Sequence, residues 1–156
     1  MNNIKKSILS SIEVKLRIAS DKEFLTELER IGGRMITALK LGRKILIAGN
    51  GGSAAAAQHF AAELAGKFIH ERKGLPAIAL TTNSSIITAI GNDFGYEYVF
   101  SRQIEGLGQS GDICVGISTS GNSLNLVHAM DSAKKNGLTT VGLLGKGGGQ
   151  LKDLCD

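Results

Sequence analysis

The sequence has 156 residues, of which 42% are hydrophobic and 21% are charged, and these proportions are typical of a folded soluble domain and argue against a disordered chain. The net charge of +4 is spread along the chain without a basic block, and only 4% of the residues are aromatic, so nothing in the composition indicates nucleic-acid binding. No apolar run approaches the roughly 18 residues that a membrane span requires, so we expect no membrane partner.

Two amphipathic helices are the first predicted elements, within about residues 1–41. Apolar side chains recur at helical spacing over residues 3–18, and Asp21 is a candidate cap for a second helix, whose apolar stripe covers residues 25–39. Such faces predict that the helices pack against something, and a second copy of the chain is one candidate.

Strands and helices alternate over the remaining core, from about residue 42 to residue 156. The predicted strands cover residues 44–53, 76–83, 111–120 and 138–145. The predicted helices cover residues 54–68, 84–93, 95–107 and 122–137, with Gly137 as the cap of the last one. Strands of nearly continuous apolar sequence predict an α/β fold in which helices cover both faces of a buried parallel sheet. We find no internal repeat and no linker, so the sequence predicts one domain.

The most informative turn is "STSGNS", residues 118–123, which joins the third predicted strand to a helix. Its hydroxyl groups belong to Ser118, Thr119, Ser120 and Ser123, which is more than helix capping alone requires. Unpaired N–H groups and the helix dipole favour an anion at such a point, and ligands of parallel sheets bind at the carboxyl ends of strands. The turn has no lysine, unlike a nucleotide-binding P-loop, so we predict a single phosphate group. The simpler alternative is a capped turn.

A glycine-rich turn, "GNGGSA", follows the first predicted strand and matches the dinucleotide pattern G-x-G-x-x-A through Gly49, Gly51 and Ala54. That pattern needs an acidic residue at the end of the second strand, where residues 81–83 read Thr-Thr-Asn. We therefore interpret the glycines as positions where a ligand can approach the backbone. A tight connection between strand and helix is the alternative.

Two further polar pairs are candidates for chemistry. His59 and Glu63 are four residues apart on the alanine-rich helix and so leave the same face, as a metal-binding pair or a base beside an imidazole would. The alternative is an exposed hydrogen-bonded pair, because a catalytic zinc takes three protein ligands and the others are not evident. Asn92 and Asp93, in a predicted turn, could cap a helix or bind a substrate hydroxyl.

Four segments carry a family resemblance: "ILIAGNGGSAAAAQHFAAELAGKF", "IGNDFGYEYVFSRQIEGLG", "GISTSGNSLNLV" and "LLGKGGG". From about residue 40 onward the chain resembles the phosphoheptose isomerases of the sugar-isomerase (SIS) superfamily, and the N-terminal helices fit as well. The resemblance implies a flavodoxin-like, doubly wound sheet. It also implies an aldose–ketose isomerase that converts sedoheptulose 7-phosphate to D-glycero-D-manno-heptose 7-phosphate, the first step of nucleotide-activated heptose synthesis for lipopolysaccharide or capsule.

The resemblance also assigns roles to individual residues. It places the phosphate on Ser118, Thr119, Ser120 and Ser123, other substrate contacts on Asn50, Gly51, Gly52, Glu63, Asn92 and Asp93, and zinc on His59 and Glu63. Glu63 is also the expected catalytic base, since the reaction removes a weakly acidic carbon-bound proton and a carboxylate can accept it. The family forms homotetramers with active sites where subunits meet, so the resemblance implies a homo-oligomer.

One departure from the family pattern concerns the C-terminus. Family members continue past residues 151–156 with a strand and a long helix, which supply a glutamine and a histidine ligand to zinc. The sequence ends at Asp156, so the resemblance implies that two of the four zinc ligands are missing from it. We therefore expect this chain alone to bind zinc poorly and to show little isomerase activity.

A second function from another class stays open: a non-catalytic SIS module that binds a sugar phosphate or a protein, as the DnaA initiator-associating protein does. His59 and Glu63 favour the enzyme, because a binding module needs no base on that helix. We expect a cytoplasmic location, since two cysteines do not make a disulfide framework and the N-terminal residues do not read as a signal peptide.

Overall fold

The computed structural model describes residues 2–156 of the chain. Its helices are α1 (Asn2–Ser20), α2 (Lys22–Lys40), α3 (Gly52–Ala65), α4 (Ser84–Asp93), α5 (Ser101–Leu107), α6 (Leu124–Lys135) and α7 (Leu151–Leu154). Its strands are β1 (Ile45–Gly49), β2 (Ala77–Ala79), β3 (Ile113–Ser118) and β4 (Thr139–Leu144). The chain forms two compact units, of which the first ends at Ile36 and the second is Thr37–Asp156.

The first unit contains α1 and most of α2, as the helical spacing predicts. Asp21 caps α2, because its Oδ1 accepts a hydrogen bond of 3.0 Å from the backbone N–H of Phe24. The apolar side chains of α1 are exposed, and those at four-residue spacing are Ile4, Ile8, Ile12 and Leu16. Within residues 2–156, no helix combines the length and the apolar character needed to cross a bilayer.

The second unit is built on a parallel sheet with the strand order β2-β1-β3-β4. The predicted parallel, doubly wound arrangement is therefore confirmed, and the order matches the flavodoxin-like type. Every residue of β1 is buried, as a strand covered on both faces should be. The second strand differs from the prediction: only Ala77–Ala79 pair, at the edge of the sheet, and Ile78 is 39% exposed. An edge strand has a neighbour on one side only, so the apolar sequence over residues 76–83 does not make a fully buried strand.

One predicted helix is broken. Residues 95–107 form a short 3₁₀ helix, Tyr96–Tyr98, and then α5. Val99 and Phe100 lie at the junction and are buried in the core, so tertiary packing and not helical periodicity sets the chain path there. Gly137 follows α6 with φ of +74°, which confirms the predicted glycine stop.

A buried carboxylate joins the amino ends of the two central strands. Asp112 accepts hydrogen bonds from the backbone N–H groups of Lys44 (3.0 Å) and Gln109 (2.8 Å), and its Oδ2 lies 2.6 Å from the Lys44 ammonium. Burial by itself would raise the pKa of Asp112, but these hydrogen bonds and the Lys44 charge outweigh it and lower the pKa. The Asp112 hydrogen bonds and ion pair thus lie at the end of the sheet opposite the glycine- and hydroxyl-rich turns.

Candidate functional site

The turns that follow β1 and β3 lie side by side. The two strands are neighbours in register, with Gly49 opposite Ile117, so their carboxyl ends meet at one edge of the sheet. The side-chain amides of Asn50 and Asn125 exchange two hydrogen bonds of 2.9 Å each. This reciprocal pair joins the turn after β1 to the first turn of α6.

The predicted phosphate turn, which we call the serine turn (residues 118–123), divides its hydroxyl groups between two roles. Ser118 Oγ accepts from the backbone N–H of Gly121 at 3.0 Å, and Ser120 Oγ accepts from that of Asn122 at 3.3 Å. These two hydroxyls stabilise the turn itself and do not cap α6. Within the described residues, the hydroxyls of Thr119 and Ser123 form no hydrogen bond, although Ser123 occupies the N-cap position. Together with the first N–H groups of α6, they are available to an anion.

The glycine turn (residues 50–52) is open to a ligand. Gly51 has φ of +54°, and apart from chain neighbours and the adjacent backbone of α3, no atom of the described chain lies within 4 Å of the place where a Cβ on Gly51 or Gly52 would stand. At Gly49, in contrast, a Cβ would come within 2.7 Å of the Ser53 backbone, so that glycine serves the tight connection to α3. Gly51 and Gly52 therefore leave the backbone open to a ligand, whereas Gly49 allows the tight connection between strand and helix.

His59 and Glu63 lie on one face of α3, as their spacing predicts. His59 Nε2 is 3.5 Å from Glu63 Oε1, and the side chains are 76% and 32% exposed, respectively. Their nitrogen and oxygen atoms are suitable zinc ligands, but no cluster of three or more His, Cys, Asp or Glu side chains able to hold a metal exists within residues 2–156. The described residues thus bring two possible ligands together and do not form a complete metal site.

The last turn of α3, which carries Glu63, is held by an arginine that the sequence reasoning missed. Arg72 donates hydrogen bonds to the carbonyl oxygens of Glu63 (2.9 Å), Leu64 (2.8 Å) and Gly66 (3.3 Å). A guanidinium at a helix C-terminus satisfies carbonyl groups that have no partner within the helix and interacts well with the helix dipole. No local pattern indicates that Arg72 folds back onto α3.

Asn92 and Asp93 form the end of α4, as the predicted helix over residues 84–93 implies, so the placement of this pair in a turn is wrong. Asn92 Nδ2 donates to Asp93 Oδ1 at 2.8 Å, and both residues are exposed. In the part of the chain that the structure describes, no hydrogen bond connects these two residues, or His59 and Glu63, with the serine turn.

Asn125 and Tyr96 are the polar residues at this edge that sequence reasoning did not select. Asn125 is only 4% exposed, and the Tyr96 hydroxyl donates a hydrogen bond of 3.3 Å to Asn50 Oδ1. A buried amide needs hydrogen-bond partners, but the burial of Asn125 is seen only in the folded chain. Its partner could not be identified, since Asn50 is 75 residues away.

Comparison with known proteins leads to the same family as the sequence motifs. Residues 12–145 match the family model described as SIS domain. Proteins named phosphoheptose isomerase from Clostridium acetobutylicum and Aneurinibacillus thermoaerophilus are each 52% identical, over 99% and 98% of this chain and 79% and 77% of their own lengths.

Solved structures agree with these matches. The structure of phosphoheptose isomerase GmhA from Neisseria gonorrhoeae superposes with a TM-score of 0.90 at 40% identity, and that of a phosphoheptose isomerase from Francisella tularensis with 0.94 at 35%. Both alignments cover 99% of this chain and 80% of the other. The chain therefore belongs to the phosphoheptose isomerases, within the family of SIS-domain proteins.

Proposed function

We propose that this chain is an aldose–ketose isomerase that converts sedoheptulose 7-phosphate to D-glycero-D-manno-heptose 7-phosphate. The similarity to proteins named phosphoheptose isomerase over nearly the whole chain carries this proposal. The product would enter nucleotide-activated heptose synthesis for lipopolysaccharide or capsule. The alternative, a binding module without catalysis, is not favoured by these relatives.

The edge of the sheet offers a place for each end of such a substrate. We assign the phosphate to the serine turn, through Ser118, Thr119, Ser120 and Ser123. The hydroxyls of Thr119 and Ser123 are free beside the first N–H groups of α6, and those of Ser118 and Ser120, which accept within the turn, each keep a hydrogen to donate. We assign the sugar to the glycine turn, where Gly51 and Gly52 leave the backbone open beside Asn50, and to Asn92 and Asp93. The Asn50–Asn125 pair supports the assignments to the serine turn and the glycine turn, because it links the glycine turn to the start of α6, directly after the serine turn.

Glu63 is the candidate base. Moving the carbonyl from C2 to C1 breaks a C1–H bond of the ketose and passes through an enediol. The Glu63 carboxylate accepts that proton, exchanges it with solvent while the enediol is bound, and then donates a proton to C2. The hydroxyl proton on O1 is lost and O2 gains one, so the net reaction is an internal redox exchange. Arg72 holds the backbone of the helical turn from which Glu63 acts.

The isomerase proposal is tested by sedoheptulose 7-phosphate turnover in D₂O, with NMR detection of deuterium at C2 of the aldose. Because the described residues form only part of a metal site, we expect slow turnover, which isotope incorporation can still measure. Glu63→Gln keeps the size of the side chain but removes its basicity, so we expect a loss of at least about 100-fold, as is usual for a general base.

Glu105→Gln is the matched control, because it removes an exposed carboxylate that pairs with Arg102 on α5, outside the proposed site. It should turn over at the rate of the unmodified chain. Activity that survives in Glu63→Gln would remove Glu63 from the mechanism. Phosphate-ester binding without any isotope incorporation would favour the binding module.

We further propose that zinc binds with His59 Nε2 and Glu63 Oε1 as two of its ligands. Zinc, when bound, polarises a substrate carbonyl or hydroxyl group. Titration with zinc, followed by metal analysis after gel filtration, should show weak binding that His59→Ala abolishes. His128→Ala is the control, since His128 stacks on Tyr98 and has no carboxylate partner within the described residues. Zinc retention unaffected by His59→Ala would contradict the assignment.

The proposal also includes an oligomeric state and a cellular location. The exposed apolar residues of α1 support a homo-oligomer, for which a tetramer is the expected form. Both cysteines are free thiols, which suits the reducing cytoplasm.

A further inference from the structure

We propose that Asn125 is a positioning residue, which orients the side-chain amide of Asn50 toward the sugar part of the substrate. This inference rests on the proposed function and adds a residue to its site. It starts from the reciprocal amide pair at the carboxyl edge of the sheet, in which Asn125 has no assigned contact with the substrate.

The backbone of Asn50 is already held without Asn125. Its carbonyl oxygen accepts hydrogen bonds from the N–H groups of Ser53 (2.9 Å) and Ala54 (3.3 Å) at the start of α3. What remains free is the rotation of the side chain, because the glycine turn next to it is open. The two 2.9 Å bonds to Asn125 remove that rotation.

The pairing also decides what Asn50 can offer a ligand. Its Oδ1 accepts from Asn125 Nδ2 and from the Tyr96 hydroxyl, which uses both lone pairs. Its Nδ2 donates one hydrogen to Asn125 Oδ1, so one N–H remains. Asn50 therefore presents a single donor, suited to a hydroxyl or carbonyl oxygen of a sugar.

Asn125 is well placed to impose this orientation. It is 4% exposed, so its amide has a strong need for partners and does not rotate into solvent. It also lies in the first turn of α6, two residues after Ser123, so the helix start that faces the proposed phosphate position carries the group that orients Asn50. The two ends of the substrate site are thus held at a fixed separation.

The test is a double-mutant cycle read with two probes. Heptitol 7-phosphate has the hydroxyls and the phosphate but no carbonyl, so it binds without reacting, and inorganic phosphate reports on the serine turn alone. We expect Asn125→Ala to weaken heptitol 7-phosphate binding about tenfold, the usual effect of one neutral hydrogen bond. Phosphate binding should change less than about twofold. In the Asn50→Ala background, Asn125→Ala should have no further effect, because Asn125 acts through Asn50.

Two more variants separate positioning from folding. Asn125→Asp keeps the shape but sets a carboxylate oxygen against Asn50 Oδ1, so it should weaken heptitol 7-phosphate binding at least as much as Asn125→Ala. Asn136→Ala removes a half-buried amide just after α6, which donates to the Ile104 carbonyl, and should leave both affinities unchanged. Thermal melting checks that each variant is folded.

The outcomes also distinguish this inference from the proposed function. Equal weakening of both probes, an additive effect in the Asn50→Ala background, or no binding of heptitol 7-phosphate to the unmodified chain would overturn the positioning role. If the unmodified chain binds heptitol 7-phosphate but does not isomerise sedoheptulose 7-phosphate, the proposed reaction fails, and the binding cycle still decides the role of Asn125.

Discussion

Among single residues, Asp112 and Cys114 are both ionisable and buried, and both have structural roles. Burial, together with the nearby Cys155, raises the pKa of the Cys114 thiol to about 12, so this thiol stays protonated at neutral pH. It lies within β3 with no exposed surface, so it packs as a small apolar core residue. Asp112 is ionised instead, and it can stay so because Lys44 and two backbone N–H groups surround it.

The pH dependence of stability provides a test of the Asp112 anchor. Its pKa in the folded chain is lowered from the ordinary value of 3.8, so its contribution to stability is present above that value and is lost as the pH falls through the folded pKa. We expect Asp112→Asn to lower the free energy of unfolding by about 2 kcal/mol at pH 7, because Lys44 and the Gln109 N–H lose their charged partner. The difference between the variant and the unmodified chain should shrink below about pH 4.

Urea unfolding at pH 7 and pH 3 measures both quantities. Comparing the two proteins at each pH removes the contribution of the other carboxylates. A difference that stays constant between the two pH values would show that the Asp112 charge is not what stabilises the fold.

Among the elements, the serine turn depends on close packing against the glycine-rich turn after β4. Gly121 has φ of +68°, and a Cβ there would overlap the carbonyl of Gly148. The Asn122 side chain strengthens the same contact, since its Oδ1 accepts from the N–H of Gln150 at 3.0 Å. The turn after β4 therefore shapes the proposed phosphate site without contributing a hydroxyl group to it.

Two glycine substitutions separate backbone strain from lost packing. Gly147 has φ of +80° and open space around it, so Gly147→Ala should cost only about 1 kcal/mol of unfolding free energy through strain. Gly121→Ala has the same strain and the overlap with Gly148, so we expect a loss two to three times larger, as is usual for overpacking, and weaker phosphate binding. Urea unfolding and phosphate titration measure these effects. Equal destabilisation by the two substitutions would show that the turns do not pack as described.

The sequence predicts the elements that neighbouring residues determine. It does not predict those that depend on contacts between segments far apart in the chain. The parallel sheet and the serine turn follow from local periodicity and from hydroxyls at a strand end, so both were predictable. The break at Val99 and Phe100 results from burial in a core that only the complete fold creates. The Asn50–Asn125 pair likewise joins two segments 75 residues apart, and one sequence alone contains no signal for it.

At the scale of the whole molecule, the most prominent feature is the set of exposed apolar residues on α1. Ile4, Ile8 and Ile12 recur every four residues and are exposed in the single chain. A soluble monomer rarely exposes a continuous apolar stripe of this kind. The homo-oligomer proposed above would bury it.

Charge placed on the stripe should therefore break the assembly. We expect the unmodified chain to have several times the monomer mass of 16.4 kDa in light scattering after gel filtration. Ile8→Glu combined with Ile12→Glu should shift the mass toward the monomer, because each buried isoleucine contributes about 1.5–3 kcal/mol and an unpaired carboxylate in an apolar interface is strongly unfavourable. Ser10→Glu places the same charge on the opposite, polar face of α1, so this control should keep the oligomer. A monomeric mass for the unmodified chain at all concentrations, or dissociation by Ser10→Glu as well, would show that the stripe is not the interface.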